Sequence, residues 1–283
     1  MNRMIPIGLL LACSTLFLAA CDSRIADVER ASGIHLQRPP IFLPVASRTF
    51  AAPWEEGWFS DLTNPSFGLV VDSTAPSGPR VGEIRYPEGF PAGRTPGWSE
   101  TWGLEGRELT RIYISFWTKL SENWQGHPAV SKIGFVWIHD NPVVFPVYRG
   151  AGLDPLRAEI WLQDVPDGGR RLEANVGERE IKRGRWHRWE IYLVANGGDE
   201  ADGEAHFWID GEKIGEYRDI RFGTREQSDV WERVSWRPIW GGVAGVVPEE
   251  MYMRMGRITV SGPTPQFNDG ERWAGEPLDD SIP

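Results

Sequence analysis

Between Arg111 and Leu120 every second residue changes character: Arg111, Tyr113, Ser115, Trp117 and Lys119 alternate with Ile112, Ile114, Phe116, Thr118 and Leu120. Side chains alternate across a strand, so such a run has one face for a core and one for water. The division recurs at Arg157, Glu159, Trp161 and Gln163 against Ala158, Ile160 and Leu162. It recurs again at Arg188, Glu190 and Tyr192 against His187, Trp189, Ile191 and Leu193. Ser131 to His139 is more apolar throughout, as a central strand covered on both sides is. Ala205 to Ile209 followed by Asp210-Gly211 predicts a strand entering a tight hairpin, because Asp-Gly tolerates the positive φ of such a turn. Arg254 to Ser261 supplies a late strand. No helical stripe exceeds two or three turns, and 32 Gly and 22 Pro punctuate the chain at short intervals. These features predict an all-β protein, an antiparallel two-sheet β-sandwich.

The sequence divides around that domain. An apolar run from Ile5 to Ala20 behind Arg3 is too short for a spanning helix, which needs about 20 apolar residues, and reads as a signal peptide over residues 1–20. Leu18-Ala19-Ala20-Cys21 resembles the lipobox of bacterial lipoproteins, which implies lipid attachment at Cys21 and an exported, membrane-anchored protein of the bacterial cell envelope. Asp22 resembles an inner-membrane retention signal of some enteric bacteria, a rule that differs between lineages, so inner and outer membrane both stay open. Residues 21–50, with Pro39, Pro40 and Pro44, read as a tether, residues 51–262 as the domain, and residues 263–283 as a tail rich in Pro, Gly and acid.

Cleavage before Cys21 removes one charge and leaves 29 basic against 40 acidic residues, a net of −11. That charge disfavours nucleic acid as a partner. Cys13 leaves with the signal and Cys21 carries lipid, so no thiol remains for a disulfide or thiolate metal site. A His-x-x-x-His pair, a Gly-x-Ser-x-Gly elbow and a phosphate loop are absent, against zinc hydrolase, esterase and nucleotide chemistry.

Gly184-Arg185-Trp186-His187-Arg188-Trp189-Glu190, then Asn196, Asp202-Gly203 and Phe207-Trp208-Ile209-Asp210-Gly211, resembles the concanavalin A-like lectin and glucanase superfamily. A "G-x-W-H" strand and a "W-x-D-G" hairpin recur there. Tyr113, Trp117, Ser121, Asn123-Trp124, His127 and Lys132-Ile133 look similar to the same members. The likeness spans roughly residues 80–260, implies a jelly roll, and looks most like polysaccharide lyase-like and uncharacterised secreted bacterial members. It also implies that a structural calcium, held by carboxylates and main-chain oxygens, can accompany the fold; no other cofactor is required. The paired carboxylates of the laminarinase-type glycosidases are missing, since no "E-x-D-x-x-E" segment occurs. His187 and Glu190 are three apart on a strand and point to opposite faces, so both read as scaffold.

Fifteen tryptophans exceed what one core of this size needs. Trp117 and Trp161 fall on the polar side of their strands, where an indole can stack on a sugar ring while polar neighbours fix the hydroxyls. Trp98, Trp102, Trp124, Trp236 and Trp240 lie near loops or strand ends, open to either role. Arg157, Glu159, Trp161 and Gln163 share a wet face able to hold a charged sugar. Lys132, His139, Tyr148 and Arg149 come from the preceding strand and its exit loop and are expected to join them on one concave surface. Arg157-Ala158-Glu159 faintly resembles the "R-x-E" strand of alginate lyases, although Trp161 replaces the further Arg and their "Q-I-H" motif is not present; as an i, i+2 pair, Arg157 and Glu159 also read as a surface salt bridge.

Three functions fit. The first is an envelope-anchored carbohydrate-binding protein engaging a polysaccharide through aromatic platforms. The second is a polysaccharide lyase acting on a uronate-containing glycan by β-elimination, with Tyr148 or His139 as the proton-transfer group and Arg157 or Arg149 on the carboxylate. The third is a structural envelope protein whose tryptophans are buried and whose concave face is filled.

Overall fold

A computed structural model describes residues 42–48, 66–97, 99–104, 109–138, 143–166, 169–226, 230–242 and 244–263. The described residues contain strands and no helix: β1 (Phe42–Arg48), β2 (Phe67–Val71), β3 (Arg80–Tyr86), β4 (Glu100–Gly103), β5 (Arg111–Leu120), β6 (Ser131–Trp137), β7 (Val143–Arg149), β8 (Leu156–Gln163), β9 (Arg171–Leu172), β10 (Glu180–Ile181), β11 (Trp186–Val194), β12 (Gly203–Ile209), β13 (Glu212–Ile220), β14 (Arg233–Trp240) and β15 (Met251–Pro263). The first sheet runs β13-β12-β11-β5-β15-β3-β2, with β1 beside β15. The second runs β10-β8-β7-β6-β14-β4, with β9 beside β8. Every pairing is antiparallel, and the protein is a two-sheet jelly-roll sandwich.

Alternation decides which residues meet between the sheets. Ile112, Ile114, Phe116 and Leu120 of β5 and Trp189, Ile191 and Leu193 of β11 are buried there against Tyr148, Ile160 and Trp236 of the second sheet. Phe116 stacks on Trp189 at 5.8 Å and meets Trp236 edge-on at 5.0 Å. The hairpin between β12 and β13 forms as expected, with Asp210 at φ 53° and Gly211 at φ 79°. Asp210 does more than turn the chain, because its carboxylate accepts from His187 Nδ1 at 2.8 Å and from the Arg188 amide at 2.8 Å. His187 and Glu190 do lie on opposite faces; Glu190 accepts from the Tyr113 hydroxyl across β5 and β11.

Residues 42–48, within the segment read as tether, are a strand of the first sheet. They pair with Ile258–Pro263, and the register slips between Pro44 and Ala46. The signal peptide, Cys21, His139, Trp98 and residues 264–283 lie outside the described residues.

A polar network ties the β2 end to β5 and β15. Asp72 accepts from Lys119 Nζ at 2.9 Å and from Arg254 Nη1 at 2.9 Å, while Arg254 also reaches Glu83 at 2.8 Å. Burial alone raises the Asp72 carboxyl, but hydrogen bonds from Thr74, Lys119 and Arg254 hold it well below the usual carboxylate range. A carboxyl depressed in the folded state stabilises the fold above its unfolded pKa of about 3.9, and that contribution drains away as pH falls toward the folded value. Unfolding free energy is therefore expected to drop steeply below about pH 4, and Asp72→Asn to flatten that slope in urea titrations run at successive pH values.

Candidate functional site

The outer face of the second sheet carries a row of aromatic rings that the core does not use. Phe135 and Trp137 lie on β6, Phe145 on β7 and Trp161 on β8, and cross-strand register brings Phe145 opposite Trp161. Ring centroids are 6.1 Å apart for Phe135–Trp137, 5.5 Å for Phe135–Phe145 and 6.3 Å for Phe145–Trp161. With Val130 and Val147 they form an apolar cluster separate from the inter-sheet core. Phe135, Trp137 and Trp161 are half-buried, so part of each ring faces solvent.

Cations surround the row. Lys132 Nζ stands 4.8 Å from the Phe145 centroid and 5.6 Å from that of Phe135. The guanidinium of Arg171 lies 4.6 Å from Trp161, and that of Arg233 lies 4.6 Å from Trp137. Cation–π attraction favours each position. Lys132 has no carboxylate partner among the described residues, and burial pushes its ammonium below the ordinary lysine value. Arg237, at the bulge where β14 slips register between Trp236 and Ile239, is exposed and likewise unpaired among the described residues. Ile239 sits opposite Lys132 across that bulge.

Glu159 explains how the row is held. Its side chain is only 4% exposed, and its two oxygens accept from Arg149 Nη1 at 3.1 Å and from Trp161 Nε1 at 2.9 Å. One buried carboxylate thus fixes an indole and a guanidinium in register, and Glu173 anchors the same Arg149 at 3.0 Å from outside. Beyond it, a cleft of ≈ 120 Å³ is lined by Arg157, Glu159, Glu173, Glu178 and Arg179.

The residues expected to converge divide as follows. Lys132, Arg149, Arg157, Glu159, Trp161 and Gln163 do share this face, by register and alternation along β6, β7 and β8. Arg157 pairs with Glu178 at 2.7 Å rather than with Glu159, and Gln163 donates to Asp164. Trp117 does fall on the polar side of its strand, but β5 belongs to the first sheet, so its outward residues face away on the opposite side of the sandwich, where Trp117 lies opposite Arg188. Tyr148 is corrected. On β7 it alternates with Val147 and Arg149, so it points inward, fully buried, sharing a hydrogen bond with Thr118 and accepting from Trp189 Nε1 at 3.1 Å. Burial pushes its phenol far up, and no sugar reaches it. Tyr148→Phe is expected to cost about 1–3 kcal/mol of stability through the lost bonds, read from denaturant midpoints, with binding per folded molecule unchanged. Of the undecided indoles, Trp124, Trp236 and Trp240 are core residues and Trp102 packs against that core.

Phe135, Trp137, Phe145, Arg171, Arg233 and Arg237 were not singled out from sequence. Phe145 shares the parity of Arg149 and was legible by that signal. Phe135 and Trp137 fall on the same face as Lys132 only because a bulge between Lys132 and Val136 changes the phase. No cluster of three or more His, Cys, Asp or Glu suited to a metal occurs among the described residues.

No protein-family profile and no curated protein matches this chain. Among solved structures it is similar to a variant of alginate lyase Aly36B in complex with alginate trisaccharide, at 12% identity, over 69% of this chain and 87% of that one, with a TM-score of 0.55. It is also similar to the marine PL-14 alginate lyase from Aplysia kurodai, at 13% identity, over 78% of this chain and all 100% of that one, again with a TM-score of 0.55. At such identities the likeness establishes a shared fold.

Proposed function

We propose that this protein lays a uronate-containing polysaccharide across the outer face of its second sheet and cleaves it by β-elimination. The observation that carries this reading is the unpaired, half-buried Lys132 among the four aromatic rings. Rings stack on sugar faces, and a desolvated ammonium without a counter-ion attracts a carboxylate or, uncharged, takes a proton. The likeness in fold to two alginate lyases supports the same direction.

Elimination removes the proton next to the uronate carboxyl, forms a carbon–carbon double bond, breaks the bond to the glycosidic oxygen, and returns a proton to that oxygen. Lys132 Nζ suits both transfers, taking the proton as an amine and delivering it as an ammonium. Arg237 supplies the charge that neutralises the sugar carboxylate. The residues assigned to this role from sequence were Tyr148, which is buried, and His139, which lies outside the described residues.

A second reading rests on the aromatic row alone: a carbohydrate-binding protein that holds polysaccharide without cutting it. Incubating the purified domain with neutral and uronate polysaccharides, while following absorbance of unsaturated products and mobility in glycan-loaded gels, separates the two. The lyase reading expects product from a uronate polymer; retardation without product selects binding, and neither result across a broad panel sinks both. Export with lipid at Cys21 belongs to the same proposal. It expects the full chain to partition with the membrane fraction and Cys21→Ala to release it.

A further inference from the structure

At one end of the sandwich, the turn before β6 and the chain leaving β14 meet around an open surface hollow of ≈ 710 Å³ lined by Pro128, Ala129, Trp240, Val246 and Pro248. Among the described residues one ionisable side chain lines it, His127, which is 7% exposed and meets Trp240 edge-on at 4.7 Å. Both ring nitrogens are engaged, with opposite polarity. The Ala129 amide donates to Nδ1 at 3.0 Å, and Nε2 lies 3.0 Å from the Ala244 carbonyl oxygen. An amide N–H needs a lone pair and a carbonyl needs a hydrogen, so this arrangement requires an uncharged ring with its proton on Nε2. The backbone is shaped to the ring as well: a Cβ on Gly241, at φ 76°, would come within 2.5 Å of it, and Ala244 adopts φ 69°.

We propose that His127 is a pH-sensitive latch. Uncharged, it ties the turn at 127–129 to Ala244; protonation at Nδ1 sets two donors against each other at Ala129 and frees that turn. The charged groups on the surrounding segments are Asp154, Arg183, Glu249 and Glu250. Arg183 donates to the carbonyls of Trp124, Gly152 and Asp154, and Glu249 accepts from Asn123 and Gln125. None of them bonds the imidazole, so no carboxylate compensates for the broken contact. The freed turn leads to Val130, whose carbonyl accepts from the Gly241 amide, and then to Ser131 and Lys132. The latch stands whether or not the protein acts on polysaccharide.

The test follows the His127 ring resonances and the Ala129 amide protection factor by NMR from about pH 8 to about pH 5, the interval in which imidazoles change charge. The expected result is a fall of about fivefold to tenfold in Ala129 protection, the effect of one hydrogen bond, in step with His127 titration, while Ile114 in the sheet centre keeps its protection. In His127→Asn, whose carboxamide oxygen accepts from Ala129 without titrating, protection is expected to be independent of pH. An Ala129 amide that keeps its protection while His127 titrates, a ring that stays uncharged to pH 5, or an equal loss in His127→Asn overturns the latch.

Discussion

Lys132→Met is expected to abolish most product formation, by about a hundred- to ten-thousandfold in turnover, the usual range for losing a proton-transfer group. Methionine keeps the length and the apolar stem that packs over Phe135 and Phe145, so stability is expected to hold or rise. A half-buried ammonium carries a desolvation cost that no ion pair offsets here. Binding separates from chemistry in the same variant. Its retention in uronate-loaded gels is expected to weaken by about tenfold, equivalent to ~1.4 kcal/mol, and its retention on neutral glycan to stay as it was. The pH profile supplies the sign. With its ammonium pushed down by burial, Lys132 gains its free-base form at lower pH than an ordinary lysine, so turnover rises with pH through that displaced transition. Lys132→Met removes the rise. Unchanged turnover in a folded Lys132→Met protein would remove Lys132 from the chemistry.

Trp189→Ala carries the largest structural effect. The side chain is fully buried between the sheets, stacked on Phe116, edge-on to Tyr148, and hydrogen-bonded through Nε1 to the Tyr148 hydroxyl. Truncation of a buried aromatic costs about 3–5 kcal/mol. Against a typical domain's stability of about 5–15 kcal/mol, that is between a fifth and the whole. Denaturant unfolding checks it, with Trp161→Ala as the control: Trp161 is half-buried on the outer face, so its loss is expected to cost far less stability while weakening glycan retention.

The fold was legible because its signal is local. In β5 the alternation from Arg111 to Leu120 marks both the strand and its core face, and Asp210-Gly211 marks a hairpin by turn chemistry alone. The site was legible only where strands kept their phase. Arg157, Glu159, Trp161 and Gln163 fall on one face of β8 as their spacing required. The bulges in β6 and β14 changed the phase partway, which hid Phe135, Trp137 and Arg237. Trp117 shows the other limit: alternation says that a side chain points outward but not which sheet it points from, and that is set by β5 pairing with β11 and β15. Tyr148 was misplaced by grouping it with Arg149, its neighbour of opposite parity. Glu159 was read as a sugar contact, whereas its two oxygens hold Arg149 and Trp161; Trp161 shares its face by spacing, but Arg149 reaches it from the neighbouring strand β7, which spacing does not show.

The most direct test of polysaccharide engagement is an amide hydrogen-exchange footprint of the protein with and without a saturating oligouronate. Added protection concentrated in β6, β7 and β8, around Lys132, Phe145 and Trp161, is the predicted result. Protection confined to β5, β11 and β12 on the opposite sheet, or none under conditions where the sugar is retained, would contradict it.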